Sequence, residues 1–423
     1  MTRRRLLSSL AAAPSAARAR SLPPAGCFWR LWWFEPGPGH GNPGFNPRFR
    51  VNSPQASLHP EFGSRPEARS SGMMQIFMPE DPRLLDAVEL YCELWGGHPG
   101  TANKRVGING RSLYSIPENG TAAGHCTHLY PLIPLRPDDV VNGYNAIQFA
   151  CDQGKTFWGH FIVDNACLRA GLPSAHPDLK KLDLGGFRAS VHLRKLREES
   201  LQVLLATSQP GRIARADFQG FFDGYDENGD GAARDWHGFT KHRRPEAWLG
   251  AASAPPFAID WNTSMIPGRA AMARARITFR DAPGLIYETA PSEEIPLPRA
   301  ETFHVQCVLA SDLPAPFWSR AGKPRTARMD LPVDPSAVER AAFHVVTWDG
   351  GRGSVAHPFR VNGLPVEVCG NGAHDVIYSV RDLPPQSLRP SNTIELLSDT
   401  DHHGIEILLP GPALMIRTRT RRA

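Results

Sequence analysis

Short stretches in which apolar and polar residues alternate recur along most of the chain, and sustained helical periodicity is scarce. In Asn145-Ala146-Ile147-Gln148-Phe149 the large apolar side chains fall on every second position, so a strand there buries one face only. By this reading strands cover 74–77, 87–95, 104–109, 146–151 and 157–168, then 188–193, 201–206, 213–222, 257–261, 271–279 and 285–289. A last group covers 302–310, 341–348, 359–362, 375–379, 393–397 and 404–409. Residues 193–202 break the pattern and read as a helical turn. The 40 prolines and 38 glycines are spread along the chain, so they punctuate turns. The expected fold is all-β, with three β-sandwich domains at 46–182, 183–297 and 298–423. A Pro-, Gly- and Trp-rich linker is expected over 21–45.

The first and third domains echo each other. Trp95-Gly96-Gly97 precedes Ile108-Asn109-Gly110, and Trp348-Asp349-Gly350-Gly351 precedes Val361-Asn362-Gly363, with 14 positions from Trp to Asn in both. Leu135-Arg136-Pro137 and Gly143-Tyr144-Asn145-Ala146-Ile147 follow in the first copy. Leu388-Arg389-Pro390 and Ser391-Asn392-Thr393-Ile394 follow in the second. Asn-Gly after an alternating strand is a hairpin turn, because both residues tolerate positive φ. So many markers in one order predict two copies of one domain.

On these residues the two copies resemble galactose-binding-like jelly rolls, a fold that includes many carbohydrate-binding modules of secreted glycan-processing enzymes. The middle domain resembles a bacterial Ig-like sandwich through Pro255-Pro256-Phe257-Ala258-Ile259-Asp260-Trp261-Asn262-Thr263-Ser264, with Asn262 where that family usually has Asp. The whole arrangement resembles secreted bacterial and fungal proteins of no established activity. The resemblance implies architecture and leaves function open, because such folds serve unrelated roles.

The net charge of +5 owes much to the chain ends, which carry Arg3-Arg4-Arg5 and Arg417, Arg419, Arg421 and Arg422. No basic stretch interleaved with aromatics lies between them, which argues against nucleic-acid binding. Thr2-Arg3-Arg4-Arg5-Leu6-Leu7 resembles a twin-arginine signal, and Ala17-Arg18-Ala19 is a small-x-small site. Residues 1–20 are therefore expected to direct the chain to the periplasm or outside the cell. The apolar run between them is short and contains Pro14, so no membrane span is expected. The seven cysteines form no C-x-x-C pair and mostly sit in apolar runs, where buried thiols act as small hydrophobes. Export would also permit disulfides, with Cys92–Cys151 the pairing considered.

The densest polar chemistry lies at 223–238. Asp226, Asn228 and Asp230 alternate and Gly231 follows, which is the opening of a calcium loop. Calcium takes about six to eight oxygens, and short alternating carboxylate and amide side chains can curl round it. The position of the closing glutamate of an EF-hand is His237, so Asp235 is the substitute donor. The expected cofactor is structural calcium. A turn closed by Asx hydrogen bonds is the alternative.

The first domain also carries His98, His125, His128 and His160, which the third domain does not match as a set. Convergence of its loops would make them a metal site or a proton-transfer pair. Trp158 has no counterpart and is the aromatic candidate for a sugar ring, whereas Trp95 has Trp348 and reads as core. Glu93, Asp152 and Asp164 are the carboxylates available for glycoside hydrolysis. No serine-hydrolase elbow, zinc-protease motif or nucleotide loop is present. The favoured function is a secreted, non-catalytic protein that binds glycan or another extracellular or envelope component through its first domain, at His98, His125, His128, Trp158 and His160. The alternatives are a polysaccharide hydrolase or lyase using the histidines, and a structural envelope protein.

Overall fold

The computed structural model describes residues 26–35, 49–51, 73–97, 101–120, 124–152, 160–238, 240–241, 243–245, 248–298, 303–351, 353–368, 375–401 and 404–419. The expected leader at 1–20, His98, Trp158 and Cys369 lie outside them. The fold is all-β, and among the described residues one five-residue α-helix, Pro177–Lys181, interrupts the strands. No helix among these residues is long and apolar enough to cross a membrane.

The internal repeat is visible strand by strand. In the first unit Met73–Met78, Gly143–Asp152, Ala102–Ile108 and Ser112–Ser115 form a four-stranded sheet in that order. In the third, Arg325–Asp330, Ser391–Leu396, Phe359–Val361 and Leu364–Val366 form its counterpart. The Asn-Gly turns anchor both copies. Asn109 and Asn362 sit at φ 49° and 52°, where asparagine is better tolerated than most side chains. Each amide donates to the next asparagine, Asn145 at 2.7 Å and Asn392 at 2.8 Å. Each also donates to a carbonyl, of Asp139 or Ser387, at 2.9 Å. Each amide oxygen accepts a backbone N–H, from Ala146 at 2.8 Å or Thr393 at 3.0 Å.

The stretch expected as a linker at 21–45 contains a central strand. Cys27–Trp33 pairs antiparallel with Phe161–Leu172 on one side and Leu285–Glu288 on the other. Phe303–Leu309 likewise pairs with Ala413–Arg419 in the third unit, so each repeat begins with this strand. Aromatic side chains on both faces make it a strand. Phe28 packs into the core against Phe187, Phe279 and Tyr287, and Trp29 lies buried on the other face with Arg169 over its ring at 4.4 Å. Through this strand one 12-stranded sheet runs across the first and middle units.

The hydrophobic core is continuous across the boundary expected at 183. Phe149 and Phe161 from the first unit, Leu184 and Phe187 at the crossing, and Phe218 and Ile277 beyond it belong to one cluster. The third unit has a separate core around Phe343, Phe359, Ile394 and Leu414. The helical turn expected at 193–202 is instead a hairpin of Ala189–Arg197 and Ser200–Thr207, with Glu199 at φ 64° in its turn. Val191, Leu201, Val203 and Leu205 are buried at strand spacing, and the intervening polar residues face outward. Cys92 and Cys151 are free thiols on strands of opposite sheets, so the considered disulfide is absent.

Candidate functional site

The loop residues of the first unit enter the joint between units. Trp95 and Trp348, equivalent in the repeat, meet with ring centroids 6.2 Å apart, in a cluster with Cys126, Tyr225, Val346 and Leu408. His160 is buried there, its ring 5.7 Å from Trp95. His128 is also buried, with Nε2 2.8 Å from the carbonyl oxygen of Glu227 and its ring 5.9 Å from Tyr130. Burial pushes its pKa down to about 4, so the imidazole is neutral at pH 7. His125 is half-buried and lines a small cleft with Cys126, Leu313 and Phe317. Among the described residues no three His, Cys, Asp or Glu side chains gather closely enough to hold a metal ion.

The calcium-type loop is a pin of the same joint. Asp226 accepts the N–H of Gly231 at 2.8 Å and of Asp230 at 3.1 Å. Asn228 accepts the N–H of Asp230 at 3.2 Å and donates to Asp235 at 2.7 Å. Asp230 accepts the N–H of Ala232 at 2.9 Å. These are Asx-type closures, with the side chains turned onto the loop's own backbone. Burial, with Asp230 adding repulsion, pushes the Asp226 carboxyl up to about 7. At Gly229 a Cβ would come within 2.3 Å of the His128 carbonyl, so only glycine lets the two units approach this closely. Next to it Glu227 and His237 form a buried pair at 2.8 and 2.9 Å. Burial works against a charged imidazole there, but the Glu227 carboxylate outweighs it and raises the His237 pKa. Tyr225 donates to the carbonyl of Gly411 at 2.6 Å and stacks on Tyr378.

The candidate carboxylates sit in different settings. Glu93 and Asp164 are buried, and Asp152 is bound by Arg105 at 3.0 Å.

The other face of the first unit's four-stranded sheet is exposed at one end, at Phe77, Leu113 and Tyr144, and buried further along, at Gly107, Ala146, Gln148 and Ala150. The four-stranded sheet turns Ile147, Phe149, Val106, Ile108, Met74 and Ile76 into the core. Its outward positions are therefore Gln75, Phe77, Tyr144, Ala146, Gln148, Ala150, Arg105, Gly107 and Leu113. Phe77 and Tyr144 face each other across strands, their rings 5.1 Å apart, and are 48% and 67% exposed. Gln148 is only 3% exposed, yet among the described residues neither atom of its amide has a hydrogen-bond partner. The third unit provides an internal comparison. Its equivalents are Asp330 for Phe77, Ser391 for Tyr144, Thr393 for Ala146, Glu395 for Gln148 and Arg360 for Gly107. One copy therefore shows an ordinary charged, hydrated face. The other shows aromatic, small and uncharged side chains in the same places. This contrast was already present in the repeat, but reading it requires knowing which residues point outward.

No family model matches the chain, and no curated protein matches it. Among solved structures it is similar to a β-porphyranase of glycoside hydrolase family 86 from the human gut bacterium Bacteroides plebeius, at 10% identity and a TM-score of 0.25, covering 55% of this chain and 37% of that one. A family 86 glycoside hydrolase in complex with neoagarooctaose matches at 12% identity and a TM-score of 0.26, covering 56% and 34%. A β-glucuronidase of Faecalibacterium prausnitzii matches at 9% identity and a TM-score of 0.20, covering 67% and 47%. The chain spans a third to a half of the length of these structures.

Proposed function

We propose that this chain is a non-catalytic, glycan-binding protein whose ligand contact is the exposed aromatic pair Phe77 and Tyr144 on the outward side of the four-stranded sheet in the first unit. The observation that carries the reading is the divergence of this face from its own copy in the third unit. An exposed aromatic pair offers the apolar faces of sugar rings a stacking surface, and each such contact contributes about 0.5–1.5 kcal/mol beyond area burial.

The test is affinity electrophoresis against a panel of polysaccharides, followed by titration with the best ligand. Tyr144→Ala is expected to weaken binding about tenfold, equivalent to about 1.4 kcal/mol, with the fold intact. Binding unchanged in a Phe77→Ser/Tyr144→Ser double variant would remove the ligand from this face. No binding to any polysaccharide would remove the glycan.

The reading takes the repeated units as galactose-binding-like jelly rolls, the middle unit as Ig-like, and residues 1–20 as an export signal. Calcium at Asp226, Asn228 and Asp230 is supported by spacing alone. A bound ion predicts that excess chelator lowers the unfolding midpoint and that Asp226→Ala abolishes the difference. An unchanged midpoint leaves the loop as a turn closed by its own hydrogen bonds.

A further inference from the structure

The outward face of the 12-stranded sheet carries three guanidiniums and two carboxylates at its centre. Arg169 binds Glu89 at 3.0 Å and Glu288 at 2.9 Å. Arg276 binds Glu288 at 2.9 and 3.2 Å. On the next strand Asp217 is taken by Arg215 at 2.7 Å. Arg274 is left over. Its Nε donates to Gln219 Oε1 at 2.9 Å, and among the described residues no carboxylate is in salt-bridge contact with it, although Glu288 and Asp235 attract it from further away. Burial lowers its pKa to about 10, with Glu288 opposing and Arg276 and Arg169 adding to the effect, so it is still a cation at pH 7.

Its setting is organised. The guanidinium carbon lies 4.3 Å from the centroid of the Trp236 ring. Trp236 tilts against Phe221 at 5.4 Å, and Arg234 lies over Phe221 at 5.3 Å. Cation, ring, ring and cation thus alternate to the edge strand Arg234–His237. Arg274, Trp236 and Phe221 are half-buried and Arg234 is exposed, so solutes can reach the row.

We propose that Arg274, held against Trp236, is the centre of a binding site for an oxyanion, a carboxylate or sulfate group of the kind acidic sugars carry. A guanidinium presents a planar fork that matches such a group with two parallel hydrogen bonds. A half-buried cation with no carboxylate in contact, sharing Glu288 with Arg169 and Arg276, is costly, and an incoming anion supplies further opposite charge. The indole contact and the Gln219 bond fix the fork before binding, which reduces the ordering cost. This site belongs to the middle unit and is independent of the Tyr144 face.

The experiment is thermal unfolding of the full chain at constant ionic strength, with sodium chloride as baseline and sodium sulfate, galacturonate or an oligogalacturonate added. A midpoint raised above the chloride baseline is expected. A response to sulfate and free galacturonate marks a general oxyanion site, and a response to the oligomer alone marks a group borne on a glycan. Arg274→Gln is expected to abolish the response while unfolding no earlier than the wild type without anion, since it removes a half-buried cation that has no carboxylate in contact. Arg274→Lys keeps the charge without the fork and is expected to bind about tenfold more weakly. Tyr144→Ala is expected to respond as the wild type does, which separates this site from the proposed glycan face. A full response in Arg274→Gln, or no response to any of the three anions, overturns the proposal. An Arg274→Gln variant that unfolds earlier and still responds marks Arg274 as structural.

Discussion

Asn109 and Asn362 show how much a single residue type can organise. Each adopts a left-handed backbone and uses its one amide on two acceptors and one donor. Alanine would keep the strained backbone and lose all three bonds. Asn109→Ala is therefore expected to destabilise the protein by about 2–4 kcal/mol, and Asn362→Ala by a similar amount. Urea unfolding of the two variants measures this. Both asparagines were legible in the sequence, because turn chemistry is local. The open partners of Gln148 and Arg274 were not. The alternation of Ala270–Phe279 already places Arg274 and Arg276 on one face. Which arginine has no carboxylate in contact depends on strands far away in the chain.

At the scale of elements the decisive piece is Cys27–Trp33. Its neighbours in sequence are prolines and glycines, and that composition reads as a linker. Its neighbours in space are two long strands, and those make it the centre of a sheet. Trp29→Ala would open a cavity beneath Arg169 and is expected to cost about 3–5 kcal/mol in denaturant unfolding. Removing residues 1–33 would leave two unpaired strand edges where the first and middle units join, and the product is expected to aggregate on size-exclusion chromatography. The 189–207 hairpin teaches the same lesson. Its charged outward residues hid the alternation of Val191, Leu201, Val203 and Leu205 beneath them.

For the whole molecule the joint matters most, and it is sensitive to pH. Glu406 of the third unit is buried against Trp95 and Cys126 of the first, with Arg320 3.9 Å away. Burial pushes its carboxyl up to about 7 from the ordinary 4.5, and Arg320 only partly offsets this. The folded state thus keeps a proton that the unfolded chain releases above about pH 4.5. The stability from this group is present in full below that pH and is lost as pH rises toward about 7, by at most about 3 kcal/mol. The neutral mimic Glu406→Gln should unfold like the wild type near pH 5 and at higher denaturant than the wild type at pH 8. His128 and His344, whose pKa values burial lowers to about 4, act in the opposite direction as pH falls below 6.5. The wild-type-to-variant difference isolates Glu406 from them.

The strand content, the repeat and its turns followed from the chain alone, because period, propensity and turn chemistry act between residues close in sequence. The sequence also placed Trp95 and Trp348 in equivalent roles. Only the tertiary structure brought them into contact with each other, turned His128 and His160 into wedges of a joint, and made a presumed linker the shared strand of two units. It alone decided which side chains of each copy stay exposed and which cation has no carboxylate in contact. Those outcomes depend on burial and pairing between residues tens to hundreds of positions apart, and local pattern carries no record of such partners.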